Sequence, residues 1–481
     1  MNAKMTRYIL FRMLGMESLL LLIPALVGLI YQEPEGMWFL VVAGIELIVF
    51  LLFGLKKPED TKIYAKEGMI IVCLAWILWS AFGALPGFLM GVIPNYVDSY
   101  FEIMSGFTTT GSTILTQIEG LPYSFLFWRS FTHWIGGMGV LMFVMLVGVA
   151  DRSNSMYLMR AEVPGPEMDK LVPKAKQTAR LLYGIYLGMT IILVILLLFG
   201  GMNLYDSIMH AFSTAGTGGF SNYGQSVAHF KSSYIEWVIT IFMLLFGINF
   251  NLFFLLLVKE VKAVFKNEEL RIYILIVLGA IICVTVNIAS AFDHISDAIR
   301  TAAFQVASII STTGFATADY NVWPMFSQVI LMVVMLIGAC ASSTGGGIKV
   351  SRVLVMFKSV KKFIKQLVHP QSINTIRLNG KKVSDTVING IYIYFLGYVI
   401  IFVTSVILVS VDNMDFGTTF SAVLTTMSNT GPGIGVVGPI GNFSAFSNFS
   451  KIILIIDMLV GRLEIMPFMM LFTLPIWRKK F

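Results

Sequence analysis

The sequence predicts an all-α integral membrane protein. Of its 481 residues, 57% are hydrophobic and 13% are charged, a composition far too apolar for an ordinary soluble globule. A helix needs roughly 20 apolar residues to cross a bilayer. Stretches of about this length occur at residues 12–31, 37–55, 69–93, 125–149, 181–200, 235–257, 272–291, 325–346, 387–410 and 450–476.

The placement of positive charge predicts the orientation of these spans. Of the 34 lysines and arginines, 29 lie in six segments that alternate with loops almost free of them. The positive-inside rule places these segments, and both termini, in the cytoplasm. They are residues 1–12, 55–67, 151–180, 258–271, 349–382 and 477–481. The net charge of +7 therefore indicates topology and contact with lipid headgroups, and does not indicate nucleic-acid binding.

After the first pair of spans, one pattern occurs four times: a span, an outer segment and a returning span. The outer segments read DSYFEIMSGFTTTGST, DSIMHAFSTAGTGGFS, DAIRTAAFQVASIISTTGFAT and DFGTTFSAVLTTMSNTGPG. Each starts with an aspartate, which we expect to cap a short helix, and each ends in a cluster of Thr, Ser and Gly. These aspartates are Asp98, Asp206, Asp297 and Asp415.

The short helices predict four re-entrant loops. Each is too short to cross the bilayer, so it must enter, stop near the middle and return as extended chain. Such backbone is tolerated only inside protein or along an aqueous cavity. We expect glycines at Gly111, Gly219, Gly314 and Gly431 to allow carbonyl groups to face one axis, where they replace the water around a monovalent cation. A glycine-containing turn packed between helices is the alternative for any single copy.

The eighth span contains a predicted break. About a dozen apolar residues are followed by GACASSTGGG at 338–347, which cannot form a stiff helix. A break on the cytoplasmic side of the loops is typical of a movable gate. The candidate gate residues are Gly338, Gly345, Gly346, Gly347, Lys349 and Arg462.

Arg462 lies inside the last predicted span, where an arginine is costly unless it meets water or a partner. We expect it to contact the glycine-rich loop or carbonyl groups near the pathway. The alternatives are that it extends to the membrane surface or pairs with Glu464. Lys349 has the same two interpretations.

The four segments carry a resemblance to a known family. The most specific motifs are SGFTTTGST (105–113), FWRSFTHWIGGMGV (127–140), ISTTGF (310–315), STGGGIK (343–349) and MLVGRLEI (458–465). With these motifs the chain resembles the superfamily of Trk, Ktr and plant HKT potassium transporters over about residues 66–476. The additional N-terminal pair of spans resembles the bacterial Trk-type uptake subunits more than the Ktr-type subunits.

The resemblance implies four M1–P–M2 units, each a span, a pore loop and a second span, around a central ion pore. It implies an accessory two-helix domain at residues 1–65 and pore repeats at 66–150, 151–265, 266–370 and 371–481. It also implies K⁺ as the transported ion, with no cofactor in this chain. The residues that match the family's selectivity filter are Thr110, Gly111, Gly218, Gly219, Thr313, Gly314, Thr430 and Gly431.

The filter segments depart from the TVGYG pattern of tetrameric potassium channels. The fourth segment reads SNTGPG, in which Pro432 follows the glycine and lacks an N–H donor. Fewer ordered carbonyl layers should discriminate less sharply between K⁺ and Na⁺. The alternatives to simple potassium uptake are sodium-dependent transport of the Ktr type and cation symport with protons.

The resemblance further implies assembly and location. Trk-type subunits form homodimers on a cytosolic ring of nucleotide-binding TrkA-type subunits, in a bacterial plasma membrane. The basic loops 151–180 and 349–382 are the natural surface for an acidic partner, although their charge also fits topology and lipid contact alone.

Other chemistry is not indicated. We find no paired nucleophile and base at matching depth, which argues against an intramembrane enzyme, and only Asp457 and Glu464 as acids in or near the cytoplasmic half of a span. His133 is expected to pack between helices with a hydrogen bond. Cys73, Cys283 and Cys340 are expected to be packing residues.

Overall fold

The computed structural model describes residues 2–60, 62–139, 175–372, 374–463 and 465–472. The predicted all-α membrane fold is confirmed. Two N-terminal helices precede four units, and each unit contains a span, a pore helix that starts on the same side of the molecule and a returning helix. We name the side on which the pore helices start the outer side, following the charge pattern.

The accessory helices are α1 (Ala3–Ile30) and α2 (Met37–Phe53). They pack closely, since a Cβ built at Gly28 would lie 2.8 Å from the Cα of Gly36. The loop between them is joined to the first repeat by Glu33. Its carboxylate accepts hydrogen bonds from the backbone N–H groups of Tyr123 (2.6 Å) and Ser124 (3.0 Å), so it caps the start of a helix in that repeat.

The four repeats are built from the following elements. The first contains α3 (Ala65–Gly83), α4 (Leu85–Leu89), α5 (Tyr96–Phe107) and α6 (Tyr123–Gly137). The second contains α7 (Ala175–Phe199), α8 (Leu204–Gly216), α9 (Ser233–Phe246), α10 (Phe250–Leu257) and α11 (Val261–Lys266). The third contains α12 (Glu268–Ile288), α13 (Ile295–Ile310), α14 (Met325–Ile337) and α15 (Val350–Val368). The short strands β1 (Arg377–Leu378) and β2 (Lys381–Lys382) begin the fourth repeat. The fourth contains α16 (Asp385–Val409), α17 (Phe416–Ser428), α18 (Asn448–Leu463) and α19 (Ile465–Leu471).

Packing between repeats is cyclic. The helix that returns from each pore loop contacts the pore helix of the next repeat: α6 packs on α8, α9 on α13 and α14 on α17. The last returning helix, α18, packs on α5 of the first repeat and closes the circle. The four pore helices α5, α8, α13 and α17 are therefore enclosed, and their inner residues are buried.

The spans differ from the prediction at one bend. Within the described residues, six helices are long and apolar enough to cross a bilayer, and α9 with α10 forms a seventh span bent by 94°. This bend was not predicted. Asn249 causes it locally, because its side chain accepts a hydrogen bond from the N–H of Asn251 (2.9 Å) and starts a new helix.

Some of the predicted features fall partly or wholly outside the described residues. The cytoplasmic half of the span at 125–149 and most of the basic loop at 151–180 lie between residues 140 and 174, and the segment 477–481 lies beyond residue 472. The cysteine prediction is correct at Cys73 and Cys340, which are buried, and wrong at Cys283, which is exposed on α12.

Candidate ion pathway

Each pore helix ends in the same type of turn. The residue after the helix, or one residue further, has a left-handed backbone: φ is 55° at Thr109, 54° at Thr217, 58° at Thr312 and 53° at Asn429. The next residue returns its N–H to a carbonyl five residues earlier, as in the bond from Thr110 to Ser105 (2.8 Å). The corresponding bonds start from Gly218 (2.8 Å), Thr313 (2.8 Å) and Thr430 (3.0 Å). This is the Schellman type of helix end, and it reverses the chain alike in all four repeats.

The four predicted glycines form a closed ring. Their φ angles are positive: 78° at Gly111, 80° at Gly219, 85° at Gly314 and 99° at Gly431. A Cβ built at Gly111 would overlap the carbonyl oxygen of Gly218. The other three glycines make the equivalent contact with the next repeat. Gly219 faces the carbonyl of Thr313, Gly314 faces the carbonyl of Thr430, and Gly431 faces the carbonyl of Thr110. All eight predicted filter residues therefore meet around one axis, and each glycine lies against a carbonyl of the next repeat.

The left-handed residues before the ring were missed by the sequence prediction, which assigned unusual dihedral angles to the glycines alone. Thr109, Thr217 and Thr312 are β-branched, and a β-branched residue rarely adopts a positive φ. Such strain typically persists only where the surrounding structure enforces it, often at functional sites. The signal was present as a Thr or Asn two positions before each glycine.

The fourth segment is linked to the first by side chains. The Nδ2 of Asn429 donates to the hydroxyl of Thr110 and to the carbonyl of Met458, each at 2.9 Å. The hydroxyl of Ser112 donates to the carbonyl of Gly431 (3.1 Å). These bonds join the two repeats that are farthest apart in the chain. The polypeptide connects each repeat to the next, and these hydrogen bonds connect the fourth repeat back to the first.

A cavity of about 100 Å³ lies on the outer side of the ring. The four ring glycines line it together with the residues that follow them, among them Ser112, Phe220 and Pro432. The four pore helices end next to the ring, and helix C-termini carry partial negative charge. A cation at the ring would therefore lie close to partial negative charge, and the cavity opens onto the ring from the outer side.

A buried ion pair contacts the residues that follow the ring glycines in the first and second segments. Arg129 Nη2 lies 2.7 Å from Oε1 of Glu102, and both side chains are almost completely buried. Glu102 also accepts hydrogen bonds from the hydroxyl of Thr113 (2.9 Å) and the N–H of Ile114 (3.0 Å). The guanidinium stacks 4.1 Å from the ring centroid of Phe220 in the second segment. This pair was not predicted, although Arg129 lies within the motif FWRSFTHWIGGMGV.

His133 is a buried, packed residue as predicted, but the prediction of a hydrogen bond is wrong. Its ring stacks on Phe220 (centroids 4.2 Å apart) and occupies the space next to Gly218. Within the described part of the chain, neither ring nitrogen has a hydrogen-bond partner.

The prediction that aspartates cap the pore helices is correct only at Asp415, which accepts from the N–H of Thr418 (2.9 Å). The other three aspartates lie in the first helical turn, where they still favour the positive end of the helix dipole.

The predicted helix break at Gly338 is confirmed. Helix α14 ends at Ile337 and α15 starts at Val350. Between them lies an intramembrane loop (residues 338–349), in which Gly338 and Gly347 have φ angles of 71° and 77°. A Cβ on either glycine would overlap the other strand of the loop, because they lie directly against each other.

The intramembrane loop lies directly beneath the ring. The N–H of Gly346 donates to the hydroxyl of Thr312 (2.6 Å), in the third segment. A Cβ built at Gly345 would lie 2.7 Å from the carbonyl oxygen of Ser311, and one at Gly346 would overlap the carbonyl of Ser428. The loop therefore covers the ends of the third and fourth pore helices.

Two cationic side chains meet the loop. The Nη1 of Arg462 donates to the carbonyl of Thr344 (2.7 Å), and its Nη2 donates to the carbonyls of Gly136 and Gly137 at the end of α6. Lys349 donates from Nζ to the carbonyl of Gly345 and is buried. Both Arg462 and Lys349 therefore contact the glycine-rich loop, as expected. Pairing of Arg462 with Glu464 is not tested, because Glu464 lies outside the described residues.

The space below the ring is closed. Arg462, Lys349 and the three consecutive glycines of the loop surround a void of about 10 Å³. A cavity of that size is at the limit for one water molecule. A hydrated cation does not fit, and two positive charges border the void.

Acidic residues inside the spans are more numerous than predicted. Besides Asp457, whose Oδ1 accepts from the hydroxyl of Ser405 (2.7 Å), Glu17 on α1 and Glu46 on α2 are completely buried. The prediction that only Asp457 and Glu464 occupy such positions is therefore wrong. Both glutamates lie in the accessory helices.

This geometry defines a class of protein. Four re-entrant segments that meet at one axis inside a multi-pass helical bundle, with a loop closing one side, are the architecture of a pore-loop ion transport protein. The chain belongs to the TrkH family of cation transport proteins, whose family model matches residues 41–478.

Individual relatives agree with the family. The chain is 36% identical to the Trk system potassium uptake protein TrkH of Salmonella typhimurium, over 95% of this chain and 96% of the relative. It is 35% identical to the protein of the same name from Escherichia coli, with the same coverage. The crystal structure of the potassium transporter TrkH from Vibrio parahaemolyticus superimposes with a TM-score of 0.88 at 31% identity, covering 99% of this chain and 100% of that one.

Proposed function

We propose that the protein takes up K⁺ across a bacterial plasma membrane, with the glycine ring as its selectivity filter. The observation that carries the proposal is the cyclic contact of each ring glycine with a carbonyl of the next repeat. The relatives that are similar over nearly the whole chain are named potassium uptake proteins. The four repeats at 66–150, 151–265, 266–370 and 371–481 would form the transporting body, and residues 1–65 the accessory domain.

In this mechanism the filter replaces the hydration shell of K⁺ with backbone oxygens. The carbonyls belong to Thr110, Gly218, Thr313, Thr430 and the glycines that follow them. An ion inside the bilayer is costly unless such groups solvate it. The side chains of Glu102 and Arg129 hold the first and second segments in place. Because Pro432 changes the fourth segment, we expect K⁺ to be preferred over Na⁺ but Na⁺ not to be excluded completely.

The intramembrane loop is the proposed gate. In the closed conformation the loop and the charges of Lys349 and Arg462 block the path below the filter. Opening requires the glycines Gly338, Gly345, Gly346 and Gly347 to change conformation so that the loop moves away from the axis. No covalent step is involved, so the proposed activity is transport and not enzymatic catalysis.

Regulation is proposed to come from other chains. We propose a homodimer, with both termini in the cytoplasm, that docks on a cytosolic ring of nucleotide-binding TrkA-type subunits. The basic loops 151–180 and 349–382 would meet acidic surface there. Deletion of residues 151–170 should weaken partner binding and leave the ring assembled; unchanged binding would reject this docking surface.

Cation symport with protons is a second candidate. The observation in its favour is the presence of buried carboxyl groups at Glu17, Glu46 and Asp457. Sodium-dependent potassium transport is the remaining alternative.

Flux measurements separate these functions. The purified protein should be reconstituted in liposomes and ⁸⁶Rb⁺ or K⁺ uptake measured with a K⁺ gradient alone, with added Na⁺, and with an imposed pH gradient. K⁺ flux that needs neither Na⁺ nor a pH gradient supports the first proposal. Flux that follows the pH gradient supports symport, and absence of K⁺ flux under every condition rejects potassium transport.

A further inference from the structure

On the side away from the ring, one carboxylate binds the intramembrane loop at two points. Glu269, in the first turn of α12, is 5% exposed. Its Oε1 accepts hydrogen bonds from the N–H of Ala341 (2.7 Å), within the loop, and from the N–H of Ser351 (3.2 Å), just after it. One oxygen atom therefore fixes both sides of the loop to the first span of the third repeat.

The same part of the loop also contacts the bend in the second repeat. The N–H of Cys340 donates to the carbonyl of Gly247 (3.0 Å), and the N–H of Phe250 donates to the carbonyl of Ser342 (3.0 Å). The hydroxyl of Thr344 donates to the carbonyl of Phe246 (3.1 Å). These are backbone groups that the bend between α9 and α10 leaves without helical partners. The loop thus provides hydrogen-bond partners for the backbone groups at the bend. Glu269 holds the loop in the position that makes these bonds possible.

An open space borders this contact. A cavity of about 800 Å³ is lined by Glu269, Ala341 and Ser351, and also by Ala263 and Glu268. It lies on the side of the loop opposite the ring. A loop that leaves the axis has room there, provided that its bond to Glu269 is broken.

We propose that Glu269 is a positioning residue that holds the intramembrane loop in its blocking conformation, and that the loop moves into the adjacent cavity when the pathway opens. The inference rests on the proposed gate function of the loop. Leaving a buried N–H group without its acceptor is costly, so the bond to Ala341 favours the closed state. Removal of the carboxylate shifts the equilibrium toward the open state.

The neighbouring residue supplies a matched control. Glu268 is also acidic and also begins α12, but it pairs with Lys358 and accepts from the N–H of Asn379 (2.9 Å) in the β-hairpin. The ion pair of Glu268 and its hydrogen bonds to Asn379 lie outside the loop. Glu268→Ala therefore removes a carboxylate from the same helical turn without removing a contact to the loop.

The first measurement is K⁺ flux in liposomes without any partner subunit. We expect Glu269→Ala to raise the flux about tenfold, the ratio that corresponds to about 1.4 kcal/mol, and Glu269→Gln, which keeps an acceptor oxygen, to raise it less. Glu268→Ala should leave it unchanged. Equal flux in Glu268→Ala and Glu269→Ala would overturn the inference.

The second measurement does not depend on conduction. Cys340 is buried in the loop, so its modification by a charged, water-soluble thiol reagent reports movement of the loop in a Cys73→Ser, Cys283→Ser background. Glu269→Ala should accelerate labelling of Cys340, and Glu268→Ala should not. Equal labelling in the two variants contradicts the proposed role of Glu269. If labelling differs but no protein conducts K⁺, the positioning role holds and the proposed transport function fails.

A third variant tests the direction of movement. Ala263→Trp places a large side chain in the cavity opposite Ala341. Combined with Glu269→Ala, it should return both flux and labelling toward the wild-type values. If the double variant behaves like Glu269→Ala alone, the loop does not move into this cavity.

Discussion

Asn429 and Thr110 are 319 positions apart in the chain, and their side chains are joined by a hydrogen bond of 2.9 Å that closes the ring between the fourth and first repeats. Asn429 also tolerates the left-handed backbone that its position requires (φ 53°). We predict that Asn429→Ala lowers the preference for K⁺ over Na⁺, because it loosens this junction. The measurement is the ratio of K⁺ to Na⁺ flux in liposomes. Asn413→Ala is the control, since Asn413 has a φ of 54° but lies in an outer loop.

A larger loss of ion preference is predicted for substitution of a ring glycine. Gly314→Ser should reduce the K⁺ to Na⁺ flux ratio roughly tenfold, equivalent to about 1.4 kcal/mol, because the new side chain would overlap the carbonyl of Thr430 and φ is 85°. Gly279→Ser, where a Cβ would meet nothing within 4 Å, should leave the ratio unchanged. A wild-type ratio for Gly314→Ser would show that the ring does not select the ion.

Arg462 is predicted to keep the closed pathway tight. Its guanidinium joins Thr344 of the loop to Gly136 and Gly137 of the first repeat. Replacement by Gln removes a positive charge and most of these bonds, each worth about 1.5–3 kcal/mol when a charged group takes part. We expect K⁺ flux without a partner to rise tenfold or more. Arg300→Gln, which removes an arginine paired with Glu236 on the outer side, is the control and should not raise this flux.

The ion pair of Glu102 and Arg129 is predicted to matter for stability. Removal of one member leaves a buried charge without its partner, which typically costs about 3–5 kcal/mol. Glu102→Met and Arg129→Met should each lower the temperature of unfolding in detergent more than Arg300→Gln does. The double variant should have a higher unfolding temperature than either single variant, because it leaves no buried charge without its partner. A double variant less stable than either single one would contradict this account.

A pH dependence is predicted at Glu119, in the outer loop of the first repeat. The N–H of Gly224 donates to its carboxylate (2.7 Å) and holds the pKa of Glu119 below its usual value. A depressed pKa in the folded state adds stability above the unfolded pKa, about 4.3, and this contribution is lost as the pH falls through the folded pKa. The difference in unfolding temperature between wild type and Glu119→Gln should therefore shrink in that range. A difference that stays constant as the pH falls through that range would contradict this account.

The repeated architecture could be predicted because it depends on short patterns. Hydropathy located the spans, and the glycine at the end of each outer segment located the ring. The break at Gly338 was also visible, since consecutive small residues cannot maintain a stiff helix. The bend at Gly247–Asn249 was not, because the surrounding residues are apolar on both sides and only Asn249 marks a new helix start.

The contacts of the site could not be predicted, because they join residues far apart in sequence. Arg462 was expected to meet the loop or carbonyl groups, but the involvement of Gly136 and Gly137 depends on how α6 and α18 approach each other. The pairing of Glu102 with Arg129 depends in the same way on the packing of α5 against α6. The left-handed conformation of Thr217 and its counterparts follows from the helix ends and conflicts with the local preference of threonine.

The ring consists of four unequal quarters contributed by one polypeptide. In a channel built from four copies of a chain, one codon change alters every quarter at once, whereas here it alters a single quarter. Ion preference can therefore be adjusted in small increments, and asymmetric features such as Pro432 and Asn429 can occupy one quarter without being copied into the other three. A transporter with deliberately graded discrimination between alkali cations could be engineered by the same route.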